Sequence, residues 1–150
     1  MARFHSLDDL KSAVGTELGP IDWIKITQEQ INEFAKLTHD EQWVHVDVER
    51  AAASPTGTTI AHGYFILALV APAVMGLITI ENARVFLNYG MNKVRFPTSV
   101  PAGSRIRAKL RLTEVREHGA GALFTAEATV ELENSVKPAC VAEVVTYVEL

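Results

Sequence analysis

The chain has 150 residues, 48% hydrophobic and 21% charged, which suits one globular domain and argues against a disordered chain. At this length roughly 68–70% of the unfolded surface can be buried, so folding needs neither a disulfide nor a metal. A net charge of −4 argues against nucleic acid or anionic membrane as the main partner, and the single cysteine, Cys140, excludes an internal disulfide and a multi-cysteine zinc site.

No repeat or low-complexity tract divides the sequence, so residues 1–150 are read as a single domain. The N-terminal residues show no apolar signal-peptide core, and with one cysteine this predicts a reducing, cytoplasmic compartment.

Ser6-Leu7-Asp8-Asp9 has the form of a helix N-cap, and Leu7, Leu10 and Val14 follow at helical spacing up to Gly15. Residues 20–26 are β-branched with a Trp and predict a first strand. Thr27-Gln28-Glu29-Gln30 is a capping-box pattern, opening a second helix with Ile31, Phe34, Ala35 and Leu37 on one face. An irregular polar stretch, 38–47, comes next. Asp47 is placed to cap a short helix through Ala53, and Ser54-Pro55-Thr56-Gly57 reads as a turn.

Residues 60–80 contain no Asp, Glu, Lys or Arg, a run long enough to cross a bilayer. A lone span should carry basic flanks and interfacial aromatics, whereas this run is bounded by Arg50 and Glu81 and interrupted by His62, Gly63, Pro72 and Gly76. The expectation is instead a long helix buried all round, which demands a sheet wrapped about it.

The second half supplies that sheet. Residues 83–89 and 91–96 are strand-like on either side of Gly90. Ile106, Ala108, Leu110 and Leu112 alternate with Arg105, Arg107, Lys109 and Arg111. After the turn His118-Gly119-Ala120-Gly121, Phe124, Ala126, Ala128, Val130 and Leu132 alternate with Thr125, Glu127, Thr129, Glu131 and Glu133. One outer face is basic and the next acidic, as cross-strand pairing in an antiparallel hairpin requires. Residues 134–138 turn the chain into a last strand, 139–150. The fold class predicted is α+β, one long central helix against a curved antiparallel sheet.

The polar stretch holds the first candidates for chemistry. Asp40 and His45 are five apart, about 140° out of register on a helix and on opposite faces of a strand. They converge only if the segment between them turns. A carboxylate and an imidazole meeting on one water can move protons at neutral pH; the alternative is a surface loop with an incidental His. Next is Ile60-Ala61-His62-Gly63, where a Gly in the first turn admits a ligand close to the backbone and the helix N–H groups attract a developing oxyanion. A plain helix start capped by Thr59 is the competing reading. His39, Asp40, His45, Asp47 and His62 include metal-ligand types, but their spacing matches no zinc pattern and no metal is expected. Cys140 sits in an apolar strand and packs as a small hydrophobe. Arg84, Lys93 and Arg95 are a basic cluster available to nucleotide phosphates, or else a solvated sheet face.

Asp40-x-x-x-x-His45, then Ile60-Ala61-His62-Gly63, then Met91-Asn92-Lys93-Val94-Arg95-Phe96-Pro97 and Val100-Pro101-Ala102-Gly103, resemble the MaoC-like dehydratase family of (R)-specific enoyl-CoA hydratases. His39 stands where the family has Gly, and Gln42-Trp43 where it has Asn-Pro, a variation that is similar to the NodN-like branch. The resemblance implies a hot-dog fold and a homodimer. It also implies reversible syn addition of water to a trans-2-enoyl thioester, with Asp40 and His45 holding the water. On that reading the Gly63 N–H stabilises the thioester oxygen, and His62, Gln42 and Trp43 lie beside the substrate. Trp43 narrows or redirects the acyl tunnel, and Arg84, Lys93 and Arg95 meet the coenzyme A phosphates. No metal or redox cofactor is implied; coenzyme A or acyl-carrier protein delivers the substrate. The same fold also serves acyl-CoA thioesterases and non-catalytic acyl-binding modules, the latter favoured by Gln42-Trp43.

Overall fold

The computed structural model describes residues 2–149. The chain opens with β1 (Ala2–Phe4) and α1 (Leu7–Ser12), where the Ser6 side chain accepts from the Asp9 N–H. A short strand that was not expected, β2 (Glu17–Leu18), comes next, and of the strand expected over 20–26 only β3 (Ile24–Lys25) forms. Gly19, at φ +99, and Pro20 lie between them, and Pro20 has no N–H with which to continue a ladder. The predicted capping box is complete at α2 (Gln28–Thr38). Ile31 and Ala35 face the core, but Leu37 is 79% exposed and falls off the predicted face. Then come α3 (Trp43–Val46), a short helix inside the stretch read as irregular, and α4 (Val48–Ala52), capped by Asp47 as expected.

The long apolar run departs most from expectation. It forms α5 (Gly63–Ala68), α6 (Val70–Leu77) and strand β4 (Ile78–Ile80). The break follows from Pro72, which cannot donate to the Ala68 carbonyl and whose ring crowds that carbonyl. The β-branched run Ile78-Thr79-Ile80 then goes extended and pairs in parallel with β1, Ala2 opposite Ile78. His5 and Glu81 meet at 3.0 Å beside this pairing, and the Glu81 carboxylate raises the His5 pKa. Among the described residues no helix is long and apolar enough to cross a membrane.

The remaining strands are β5 (Val85–Arg95), β6 (Arg105–His118), β7 (Gly121–Leu132) and β8 (Cys140–Glu149). They build a six-stranded sheet in the order β2-β6-β7-β8-β5, with β3 also paired to β6. Gly90 does not divide β5; it sits at a register shift within one continuous strand. The predicted antiparallel hairpin forms and sets the basic outer face against the acidic one, with Arg107 opposite Glu131 and Arg111 opposite Glu127, each pair bonded at 2.7 Å. Arg105 grips Glu133, and Lys109 reaches Glu17 at 3.3 Å. These outer-face pairs are largely solvated and set register more than stability.

The inner face carries Ile106, Leu110, Leu112, Phe124 and Val130, all buried against Ile66, Val70, Val74 and Leu77 of the broken helix. Burial along β8 alternates strictly, so the last strand has one inner face rather than two. The sheet does not wrap the helix all round: Tyr64 is 74% and Met75 59% exposed on the side away from it. This α+β arrangement of a helix held in a curved antiparallel sheet is the predicted architecture, with one flank of the helix left open.

Candidate active site

α2 ends at His39, which takes the left-handed conformation at φ +60, and this releases the chain into the loop that carries Asp40. Two residues on, α3 begins and lifts His45 into the interior, where it is 9% exposed. The turn that Asp40 and His45 needed is therefore present. Asp40, His45 and His62 each bring one polar side-chain atom to within 4.8 Å of the others.

His45 is held in a defined state. Its Nδ1 lies 2.7 Å from the Ile60 carbonyl. A carbonyl only accepts, so Nδ1 carries the proton and Nε2 presents a lone pair. The backbone around it is tied as well: the Ile60 N–H donates to the Val44 carbonyl at 3.0 Å, and Gln28 Nε2 donates to the His45 carbonyl at 2.8 Å. Thr59, buried, donates its hydroxyl to Gln28 Oε1. Thr59 therefore does not cap the following helix; the N-cap position is His62, which makes no side-chain cap bond.

Asp40 is half-buried, and Gln42 Nε2 donates to its Oδ1 at 3.2 Å, which fixes the orientation of the carboxylate. Gln42 thus acts on Asp40 rather than on the pocket. Trp43 turns the other way, with the Arg50 guanidinium 4.4 Å above its ring, and it does not line the pocket. His62 is 2% exposed and stacks on His45, ring centroids 3.7 Å apart and planes 24° apart.

Beside His45 lies a pocket of ≈ 190 Å³, walled by Ile60, Ala61, Gly63, Ile66, Phe96, Thr98, Ser99, Val100 and Ala139. Gly63 is the first residue of α5. The first intrahelical bonds are made by the Phe65 and Ile66 N–H groups to the His62 carbonyl, so the Gly63 amide precedes the ladder. Phe96, Thr98 and Ser99 were not singled out in the sequence. Each comes from the loop after β5, which is tied to the segment before α5 by the Ala61 N–H to the Val100 carbonyl at 2.8 Å and the Ala102 N–H to the Thr59 carbonyl at 2.9 Å.

The basic cluster does not assemble. Arg84 and Arg95 sit at opposite ends of β5, and at about 3.3 Å per residue they are roughly 35 Å apart. Arg84 faces Glu149 at 3.8 Å and Lys93 binds Glu143 at 2.9 Å. Arg95 alone of the three makes no ion pair among the described residues, and it adjoins Phe96 at the pocket.

A metal ion fits the Asp40, His45 and His62 group poorly. An ion shared by two imidazoles lies near both ring planes, along their lone pairs. Here the two rings are stacked, centroids 3.7 Å apart and planes 24° apart, so their lone pairs run side by side rather than converging on one point. What the arrangement can do is hold a water between a carboxylate and an imidazole lone pair, next to an apolar pocket with a backbone amide at its rim.

Residues 9–134 match the model of the MaoC like domain. The chain is 51% identical over 150 residues to the 3-hydroxyacyl-thioester dehydratase Z of Mycobacterium tuberculosis, covering 99% of each chain. It is 44% identical over 147 residues to the nodulation protein N of Rhizobium leguminosarum bv. viciae, covering 96% of this chain and 91% of that one. Among solved structures, the (R)-hydratase from A. caviae involved in PHA biosynthesis superposes with a TM-score of 0.72 at 20% identity, covering 89% of this chain and 94% of that one.

Proposed function

This chain belongs to the MaoC-like domain family, and from that premise we propose that it adds water reversibly across a trans-2-enoyl thioester to give the (R)-3-hydroxyacyl thioester. It is an enzyme, a hydro-lyase of the 3-hydroxyacyl-thioester dehydratase type. The observation that carries the mechanism is the hydrogen bond from His45 Nδ1 to the Ile60 carbonyl, which leaves Nε2 as a base beside the pocket.

Asp40 and His45 hold the water between them. As its oxygen bonds to C3, one O–H proton passes to His45 Nε2, and electron density moves through C2 onto the thioester oxygen. The Gly63 N–H stabilises that oxygen. The proton on Nε2 then returns to C2 on the same face, which gives syn addition from a single proton carrier. Asp40, oriented by the Gln42 hydrogen bond, accepts the other O–H and directs the attack. An acid–base group of this kind contributes about 10²–10⁴ in rate, and one oxyanion donor about 10²–10³. The overall reaction changes no electron count, so it calls for no redox cofactor, and coenzyme A or an acyl-carrier protein enters only as part of the substrate. Arg95, next in sequence to the pocket residue Phe96 and without a carboxylate partner among the described residues, is the residue assigned to the thioester's phosphate-bearing arm.

A homodimer belongs to this reading. β5 is an edge strand of the sheet, and its Leu87, Tyr89 and Met91 are exposed at 52%, 56% and 38%. An apolar edge of that length invites pairing with a second copy. A chain with one buried cysteine suits the reducing cytoplasm, the compartment assigned here.

The test is to mix the protein with crotonyl-CoA and follow the conjugated enoyl-thioester absorbance, with a thiol reagent in a parallel cuvette. Loss of absorbance without thiol is the expected result. Thiol release identifies a thioesterase instead. Silence with crotonyl-CoA and with every longer enoyl chain overturns the assignment in favour of a binding module.

A further inference from the structure

We propose that His62 is a positioning residue: it clamps the two catalytic residues in register without touching the substrate. The inference rests on the hydratase reading of Asp40 and His45 and adds a role that their own geometry does not explain. His62 Nε2 lies 2.9 Å from the backbone carbonyl of Asp40. Since a carbonyl only accepts, Nε2 carries the proton and Nδ1 is bare. That Nδ1 is buried and has no hydrogen-bond partner among the described residues. A bare acceptor in the interior is unfavourable. Its retention is accounted for by what the rest of the ring does.

The ring makes two contacts that no other side chain makes. Its face stacks on His45 at 3.7 Å, which fixes the rotation of the catalytic imidazole about its own bonds. Its edge holds the Asp40 carbonyl, and that carbonyl follows a left-handed residue after the helix has ended. No helical ladder holds the backbone there, so the donor on His62 does. Phe34 of α2 packs against His62 with centroids 5.0 Å apart and keeps the clamp itself from turning. The pocket is lined by His45 and Gly63 but not by His62. The residue therefore acts through its neighbours, and a misplacement of about 1 Å in such a pair is worth on the order of 10²-fold in rate.

Two substitutions separate its contacts. His62→Phe keeps a flat ring for the stack and removes the donor; His62→Gln keeps an N–H near the Nε2 position. The expected result for His62→Phe is a roughly 10–100-fold fall in kcat with KM within about threefold of wild type. His62→Gln should regain at least tenfold of a 100-fold loss. Combined with Asp40→Asn, the His62→Phe penalty should shrink below threefold, because both act on one water. A fall below threefold in kcat for the single variant overturns the proposal. So does a rise in KM alone, which would place His62 on the substrate, or an undiminished penalty beside Asp40→Asn.

If His62→Phe does not fold, imidazole ¹⁵N spectra of the wild-type chain decide the matter. His62 as the Nε2–H tautomer supports the clamp, and an Nδ1–H tautomer removes it. Those spectra need no turnover, so the clamp fails or stands separately from the hydratase reading. Wild-type protein inert toward all enoyl-CoA chains would fail the latter alone.

Discussion

The aromatic ring of Phe96 lies against Gly63 so closely that a Cβ on Gly63 would stand 3.0 Å from Phe96 Cδ2. The glycine is thus required by contact rather than by backbone angle, and the contact is with a side chain at the mouth of the pocket. Gly63→Ala should push Phe96 outward, disturb the amide at the rim and lower kcat/KM at least tenfold. Phe96 is 43% exposed and has room to move, so the melting temperature should fall only a few degrees. Adding Phe96→Leu should restore the melting temperature. Full activity in Gly63→Ala would remove the amide from the mechanism.

Asp40→Asn keeps the size of the side chain and its contact with Gln42 while removing the charge. It should cost at least about 10²-fold in kcat with the far-ultraviolet circular dichroism unchanged. His45→Ala should lose as much and also destabilise the chain by about 1–3 kcal/mol, because it leaves the Ile60 carbonyl without its donor. Steady-state kinetics beside urea unfolding reads both. A loss below roughly tenfold in each removes these residues from the reaction.

Gly121 is the most tightly constrained glycine. A Cβ there would fall 2.0 Å from the Val148 backbone carbonyl oxygen, across the β7–β8 ladder. Backbone cannot swing aside as Phe96 can. Gly121→Ala should destabilise by about 3 kcal/mol or more, or prevent folding. Gly119→Ala, two residues earlier in the turn at φ +58 with open space around it, should cost about 1 kcal/mol. Urea midpoints of the two variants, measured side by side, check the contrast.

Much of this was legible in the sequence because it depends on short-range rules. The Thr27 capping box, the Asp47 cap and the antiparallel hairpin with facing basic and acidic sides each follow from a period or a spacing, and each is present. Asp40 and His45 were legible as candidates because the helical pattern stopped just before them. Their convergence was not, since it depends on the left-handed turn at His39, where a glycine would have announced that conformation far more plainly than a histidine does. The broken helix was foreshadowed by Pro72, yet the position of the break, four residues upstream, comes from the carbonyl that a proline leaves unbonded. Phe96, Thr98 and Ser99 reach the pocket only through long-range packing, for which one sequence carries no period. Arg84, Lys93 and Arg95 show the reverse error. Nearness along an extended strand is distance in space.

Cys140 gives a pH dependence with a definite sign. Burial in β8 pushes its thiol up to about 11 from an ordinary 9.0. The unfolded chain therefore loses this proton near pH 9, while the folded chain keeps it until about 11. The contribution is fully present below pH 9 and is lost as pH rises through that window. Cys140→Val should flatten the fall in stability between pH 9 and 11, read by urea unfolding at fixed ionic strength. The same burial predicts that a thiol reagent at pH 8 labels the native wild type only as fast as it unfolds.

The exposed edge of β5 makes the last prediction. Leu87, Tyr89 and Met91 are exposed along a strand whose far side has no partner among the described residues. The register shifts at Asn88/Gly90 and Asn92/Arg95 bend this edge, yet they leave Leu87, Tyr89 and Met91 exposed. The charges on this strand, Lys93 and Arg95, come only at its end, and a second copy running antiparallel would cover the apolar stretch between. Light scattering should therefore report twice the 16.4 kDa chain mass. Leu87→Lys combined with Met91→Lys should yield monomer, since two cations would face their own copies across the two-fold axis. If that monomer keeps full kcat, each pocket is complete within one chain. If kcat falls while the fold survives, the partner's edge supplies part of the wall beyond Phe96.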